Sequence, residues 1–221
     1  MKNKCILILE GLTIIRALEI DILKNLKIEI NGQWLDLGSG INGSPEYNYL
    51  CKNKNASVVN SDINATNNTY YINLEEKLPY SNQEFEGISL FHVLQYIYNS
   101  ENLIKELYRV SKSTILIVTP YSLNYAPENG VDLWRPREDY YNKVLSTLLL
   151  TEKKVIPILH GPFIYLLSII EIYFLKYRYV RFILFIFFYC LDLVIYRILP
   201  KKTSIYVSNR SVIGYVVYGK K

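Results

Sequence analysis

Gly38, Gly40 and Gly43 punctuate the run WLDLGSGING (34–43), and Asp62 stands nineteen residues beyond the last of them. After a short apolar strand, a Gly-x-Gly turn lets the backbone approach a ligand and offers it free N–H groups. An acid about twenty residues farther on is at the distance expected for one that binds ribose hydroxyls. Taken alone the pattern also suits NAD, and glycines also simply make turns. Asp36 narrows the choice, because a carboxylate two residues before the first glycine repels an arriving pyrophosphate but not a cationic sulfonium ligand carrying an amino group.

Two histidines, His92 and His160, are the only side chains that ordinarily titrate near neutral pH. His92 ends the apolar run GISLFHV (87–93), a position suited to a general base that takes a proton from a hydroxyl; the plainer role is lining a pocket. His160 reads as structural. Tyr121, Tyr125, Trp134 and Arg135 follow the run STILIVTP (113–120). Aromatic faces suit a sugar ring or an apolar chain and Arg135 suits a phosphate or carboxylate, while Trp134 reads equally well as a packing residue under a loop. The three cysteines, Cys5, Cys51 and Cys190, show no CxxC or Cys/His spacing, so neither a disulfide framework nor a metal site is indicated.

The elements that position these residues follow from periodicity. Leu12, Ile15, Leu18, Leu23 and Leu26 recur at helical spacing within 9–26. QWLDL (33–37), ASVVNSD (56–62), GISLFHV and STILIVTP are strand-like, with helical stretches at 100–110 and 138–150; KKVIPILHG (153–161) and SVIGYVVYGK (211–220) read as two further strands. Strand alternating with helix predicts a mostly parallel sheet covered on both faces, in a single domain over 1–221. The start, MKNKCILILEGL, imitates a signal peptide, but Glu10 interrupts its apolar run and no small-residue cleavage site follows, so it reads as part of the fold.

LDLGSG, then the acid of VVNSDIN, then NLEEKLPYSNQEFEGISLFHVLQYI, then NLIKELYRVSKSTILIVTP resembles, in order and spacing, the class I S-adenosylmethionine-dependent methyltransferases. Within that superfamily the chain is most similar to the type 11, ubiquinone/menaquinone-type group, and within it to members from glycan clusters. The likeness covers about 33–120 and extends loosely through PYSLNYAPENGVDLWRP. It implies a doubly wound, seven-stranded Rossmann-like α/β sheet whose last strand is antiparallel, and S-adenosyl-L-methionine as cofactor. Asp36, Gly38, Ser39 and Gly40 would form the loop around its methionine part, Asp62 would hold the ribose, Asn73 would accept from the adenine amino group, and Phe91 and His92 would sit beside the methyl group. Asn42 stands where the family has its third glycine.

One region falls outside that pattern. Residues 162–200 are almost continuously apolar, bounded by Pro162 and Pro200 and interrupted by KYRYVR, which predicts a helical hairpin inserted before the last strand. The first arm, 163–175, is too short to cross a hydrocarbon core of about 30 Å, and the second, 182–199, carries Asp192 and Arg197. From Lys176 onward there are nine Lys or Arg and one acid, in a chain whose net charge is +5. An interfacial hairpin with Lys176, Arg178, Arg181, Arg197, Lys201 and Lys202 at head-group level is the expectation; a homodimer interface and a lid over the site are the competing ones. The function expected is O-methylation of a sugar or lipid-linked glycan by a cytoplasmic protein peripheral on the inner membrane face, with no nucleic-acid partner. A quinone- or lipid-precursor methylase and a catalytically degenerate cofactor-binding protein are the alternatives.

Overall fold

The computed structural model describes residues 2–64, 69–121 and 131–221. In chain order the elements are α1 (Lys2–Leu9), α2 (Ile14–Asn25), β1 (Glu29–Ile30), β2 (Gln33–Leu37), β3 (Cys51–Lys52), β4 (Ser57–Asp62), β5 (Tyr70–Tyr71) and β6 (Phe85–Phe91). Then come α3 (Ser100–Val110), β7 (Ser111–Pro120), α4 (Glu138–Ser146), β8 (Glu152–Leu159), α5 (Pro162–Ile170), α6 (Arg178–Ile198), α7 (Lys201–Arg210) and β9 (Val212–Lys220).

Seven strands form one sheet in the order β5-β4-β2-β6-β7-β9-β8, and β1 and β3 pair separately. The five strands from β5 to β7 are mutually parallel, and β9 runs antiparallel between β7 and β8. The doubly wound sheet with an antiparallel last strand therefore stands as expected. Its inner strands are buried on both faces, which is why they read as unbroken apolar runs rather than alternating ones. Ile115 and Ile117 of β7 face a core closed by α3 and α4, whereas Leu116 and Val118 face one closed by α1, α2, α5 and α6.

The N-terminal region differs from the single helix expected over 9–26. The chain turns at Gly11 (φ 107°), and α2 starts afresh behind Thr13, whose side chain accepts from the Arg16 N–H. Between β8 and β9 the expected hairpin is present as α5 and α6, and Pro200 ends α6 but also precedes α7, a helix the sequence reading did not foresee.

Three charges of the hairpin, Glu171, Arg181 and Asp192, point inward. Glu171 is buried and accepts from the Ile14 N–H at the start of α2 (3.0 Å). Arg181 donates to the carbonyls of Gly11 and Leu12 (3.0 and 2.9 Å). Asp192 is fully buried, accepts from Phe163 and Ile164 at the start of α5, and meets His160 Nδ1 at 3.2 Å. Glu171 and Asp192 thus satisfy helix N-termini that would otherwise leave unpaired donors in an apolar setting. The expectation that placed Arg181 at head-group level is corrected: it is buried, clamping the turn between α1 and α2.

Candidate active site

Parallel register brings the C-terminal ends of β2, β4, β6 and β7 to one edge of the sheet. Asp36 lies opposite Asn60 on one side and Ser89 on the other, and Phe91 lies opposite Val118. In open parallel sheets this edge, at the point where the strand order reverses between β2 and β6, is where ligands bind.

The glycine loop leaves β2 there. Gly38, Gly40 and Gly43 all have positive φ (68°, 65° and 74°), a backbone form that costs an ordinary residue about 1–2 kcal/mol. A Cβ on Gly38 would stand 2.4 Å from Cγ2 of Val93, whereas one on Gly40 would meet nothing within 4 Å. Gly38 is required by the packing of the next strand's turn, and the space at Gly40 is open toward a ligand. Asn42 is not among the positive-φ residues; Gly43 takes the left-handed position instead.

Asp36 is fully buried and supports the loop from beneath. Its Oδ2 accepts from the Ser44 N–H (3.0 Å) and its Oδ1 from Ser89 (2.8 Å), whose hydroxyl also meets Tyr47 (2.7 Å). Burial pushes its carboxyl up to about 6 against the pull of those bonds. Asp36 therefore acts on a ligand through the loop it holds. Ser39 is buried too, its N–H and hydroxyl both given to the Ser61 carbonyl.

Asp62, half-buried at the end of β4, receives the Gly40 N–H on Oδ2 and the Asn64 N–H on Oδ1, both at 2.9 Å. A carboxylate offers about four acceptor positions, so one on each oxygen remains for a pair of vicinal hydroxyls. Ile63 follows, apolar and 58% exposed, with Ile41 exposed in the glycine loop. These two residues escaped the sequence reading; an exposed Ile directly after a ribose-type acid was the available signal. Asn73 is half-buried, and its side-chain carbonyl accepts from Glu75 (3.1 Å) while its amide donates to Glu76 (2.8 Å).

Beyond β6 the structure separates the predicted residues. Phe91 is buried with its ring edge-on to Tyr47, so it builds the wall under the site rather than its lining. His92 has φ 58°, an uncommon form for a non-glycine residue, held by its N–H on Val118 O (2.8 Å) and by Gln95 on its own carbonyl (2.7 Å). Its Nε2 meets Glu19 Oε2 of α2 at 2.9 Å and lies 3.9 Å from Glu46 Oε1, in the turn after the glycine loop. Arg16 approaches the same Glu46 oxygen at 3.1 Å. Both carboxyls are buried, and burial raises them above the usual carboxylate range while lowering His92. Neither Glu19 nor Glu46 was anticipated, because nothing in their local sequence distinguishes them from ordinary helix and turn acids.

The acceptor-side residues are only partly assembled. Tyr121 is half-buried against Tyr215 with Arg137 over its ring. Trp134 packs edge-on to Tyr140 at 4.6 Å, the packing role. Arg135 has its fork engaged by Asp132, one arm at 2.6 Å, so it is not a free anion clamp. Leu133 N–H on Gln95 O ties this segment back to the His92 turn. Tyr125 lies outside the described residues. Two clefts, of about 400 and 310 Å³, open elsewhere, beside Gly11 and the start of α6 and between Glu75 and α3.

Known structures share this fold. An S-adenosylmethionine-dependent methyltransferase of Archaeoglobus fulgidus superposes with a TM-score of 0.56 at 15% identity, covering 93% of this chain and 94% of that one. The fold is that of the class I methyltransferases. The CurJ carbon methyltransferase superposes at 0.53 and 10% identity, over 94% of this chain and 55% of that one. A phosphoethanolamine N-methyltransferase of Haemonchus contortus, solved with S-adenosylhomocysteine, does so at 0.50 and 10%, over 91% and 51%. No protein-family model and no curated protein matches the chain in sequence.

Proposed function

We propose that the chain is an S-adenosylmethionine-dependent methyltransferase acting on a hydroxyl of a sugar or lipid-linked glycan at an anionic membrane surface. The observation that carries the first part is the contact between loop and acid: Gly40 N–H on Asp62, with open space at Gly40 and an exposed apolar Ile63 alongside. A nucleoside fits that set, its hydroxyls on Asp62 and its base against Ile63. The buried carboxyl of Asp36 below the loop favours a cationic ligand over a pyrophosphate.

When bound, the cofactor supplies a methyl group already activated on sulfur. The chain's own residues then have three tasks: the glycine loop and Asp62 fix the ligand, the roof made by α2 and the Glu46 turn excludes water, and His92 accepts the acceptor's hydroxyl proton. Nε2 of His92 is buried on Glu19, which leaves Nδ1 for that proton.

The membrane part rests on α6. Because Arg181 and Asp192 point inward, the outward stripe Ile183, Phe187, Cys190, Val194 and Ile198 carries no charge. Lys176 and Arg178 flank it at one end and Arg197, Lys201 and Lys202 at the other. The helix is long and apolar enough to cross a membrane, yet its inner face is bonded to the body of the fold; lying in the interface satisfies both faces. Calorimetric titration with S-adenosylmethionine, S-adenosylhomocysteine and NAD tests the cofactor: micromolar binding of the first two alone is expected, and binding of NAD alone or of none rejects the reading.

A further inference from the structure

Glu19, Glu46 and His92 come from α2, from the turn after the glycine loop and from just past β6, and the atoms they turn toward one another are buried. Both oxygens of each carboxyl and Nε2 of His92 are buried, and apart from the close approaches of His92 to Glu19 (2.9 Å) and Arg16 to Glu46 (3.1 Å) none of them has a hydrogen-bond partner. Polar atoms are rarely buried in this state, so a missing charge or proton is implied. The glutamates face each other within hydrogen-bond reach, and their mutual repulsion is one cause of the raised carboxyl of Glu46. Arg16 supplies one positive charge, on Glu46. Two ionised carboxylates would leave one negative charge uncompensated; one added proton removes it.

We propose that Glu19 is a protonated positioning residue that accepts a hydrogen bond from Nε2–H of His92, donates its own proton to the carboxylate of Glu46, and thereby keeps Nδ1 of His92 free as the base. The chain of contacts runs Arg16 to Glu46 to Glu19 to His92, and every orphaned oxygen on that path gains a partner. Asp36, which also faces Glu46, keeps its own donors in Ser44 and Ser89 and takes no part. When His92 takes a hydroxyl proton on Nδ1, the cluster passes from neutral to one positive charge, and the Nε2–H bond to Glu19 holds the imidazolium in place. This rests on the methyltransferase reading only for the identity of the proton donor; the tautomer is a property of the resting protein.

The chain has two histidines, so long-range ¹H–¹⁵N spectra of the labelled full chain resolve each ring, with His160→Gln assigning the pair. The expected result is a neutral His92 carrying its proton on Nε2 from pH 6 to 8. Glu19→Gln, whose amide copies the protonated acid, preserves that tautomer, whereas Glu19→Leu yields a mixture of the two. An imidazolium at pH 7, a proton on Nδ1, or a tautomer switch in Glu19→Gln overturns the proposal. So does line broadening of His92 by micromolar Mn²⁺, which would show a divalent cation in place of the proton. Titrating the same sample with S-adenosylhomocysteine separates the two ideas, since failure to bind it rejects the methyltransferase reading without altering the tautomer result.

Discussion

Gly38 and Gly40 share a backbone form but not surroundings, and the difference is measurable. Gly40→Ala should cost about 1–2 kcal/mol of folding stability, the strain of a left-handed alanine. Gly38→Ala adds a collision with Val93 to the same strain and should cost about 1–3 kcal/mol more, part of it returned by Val93→Ala. Urea denaturation of the three variants checks the order; equal costs at the two glycines would mean Val93 yields freely. At Asp62 the expected loss is one of binding. Asp62→Ala removes charge-assisted bonds worth roughly 1.5–3 kcal/mol each, so calorimetry should show S-adenosylhomocysteine affinity falling at least tenfold. Unchanged affinity would move the ribose site elsewhere.

The hairpin is an element held by three charged side chains that a reading by hydropathy counts as obstacles. Asp192→Ala would leave the Phe163 and Ile164 donors without their acceptor and should lower stability by about 1–2 kcal/mol, while Asp192→Asn should recover part of that. A denaturation midpoint unmoved by either variant would show that water replaces the cap. The outer stripe is a different matter, since Ile183, Phe187 and Val194 touch solvent. Replacing all three with Asn should leave the thermal midpoint within a few degrees yet abolish sedimentation with vesicles containing anionic lipid. Retained sedimentation would refute attachment through α6.

For the molecule as a whole, buried acids give stability a definite pH dependence. Burial pushes Asp36 up to about 6 and Glu171 up to about 7, so the native state keeps protons that the unfolded chain has already released. Their contribution is complete below about pH 4 and is lost as pH rises toward 7. His92, lowered by burial, has the opposite sign: the unfolded chain gains a proton below about 6.5 that the native ring refuses. Thermal melts should therefore fall between pH 5 and 8, and Glu171→Gln should flatten that slope by up to ~3 kcal/mol. A slope identical to that of the unaltered chain would mean Glu171 is ionised when buried, neutralised by Arg181.

Much of this was local and therefore readable. The strands at 33–37 and 113–120 are runs of apolar residues between turn formers, the helix at 100–110 follows its own periodicity, and the glycine loop must be glycine wherever φ is positive, so the parallel sheet and its loop were legible without coordinates. The roles of charged residues were not, because they depend on partners distant in sequence. Glu171 and Arg181 look like charges on an apolar hairpin until they bond to Ile14, Gly11 and Leu12 some 160 residues away. Glu19, Glu46 and His92 carry no mutual signal along the chain; only the tertiary fold, which sets α2 and the Glu46 turn against the residue after β6, brings their facing atoms into one buried cluster. Periodicity reports which face of an element is buried, whereas the partner of a buried charge is chosen by the tertiary fold.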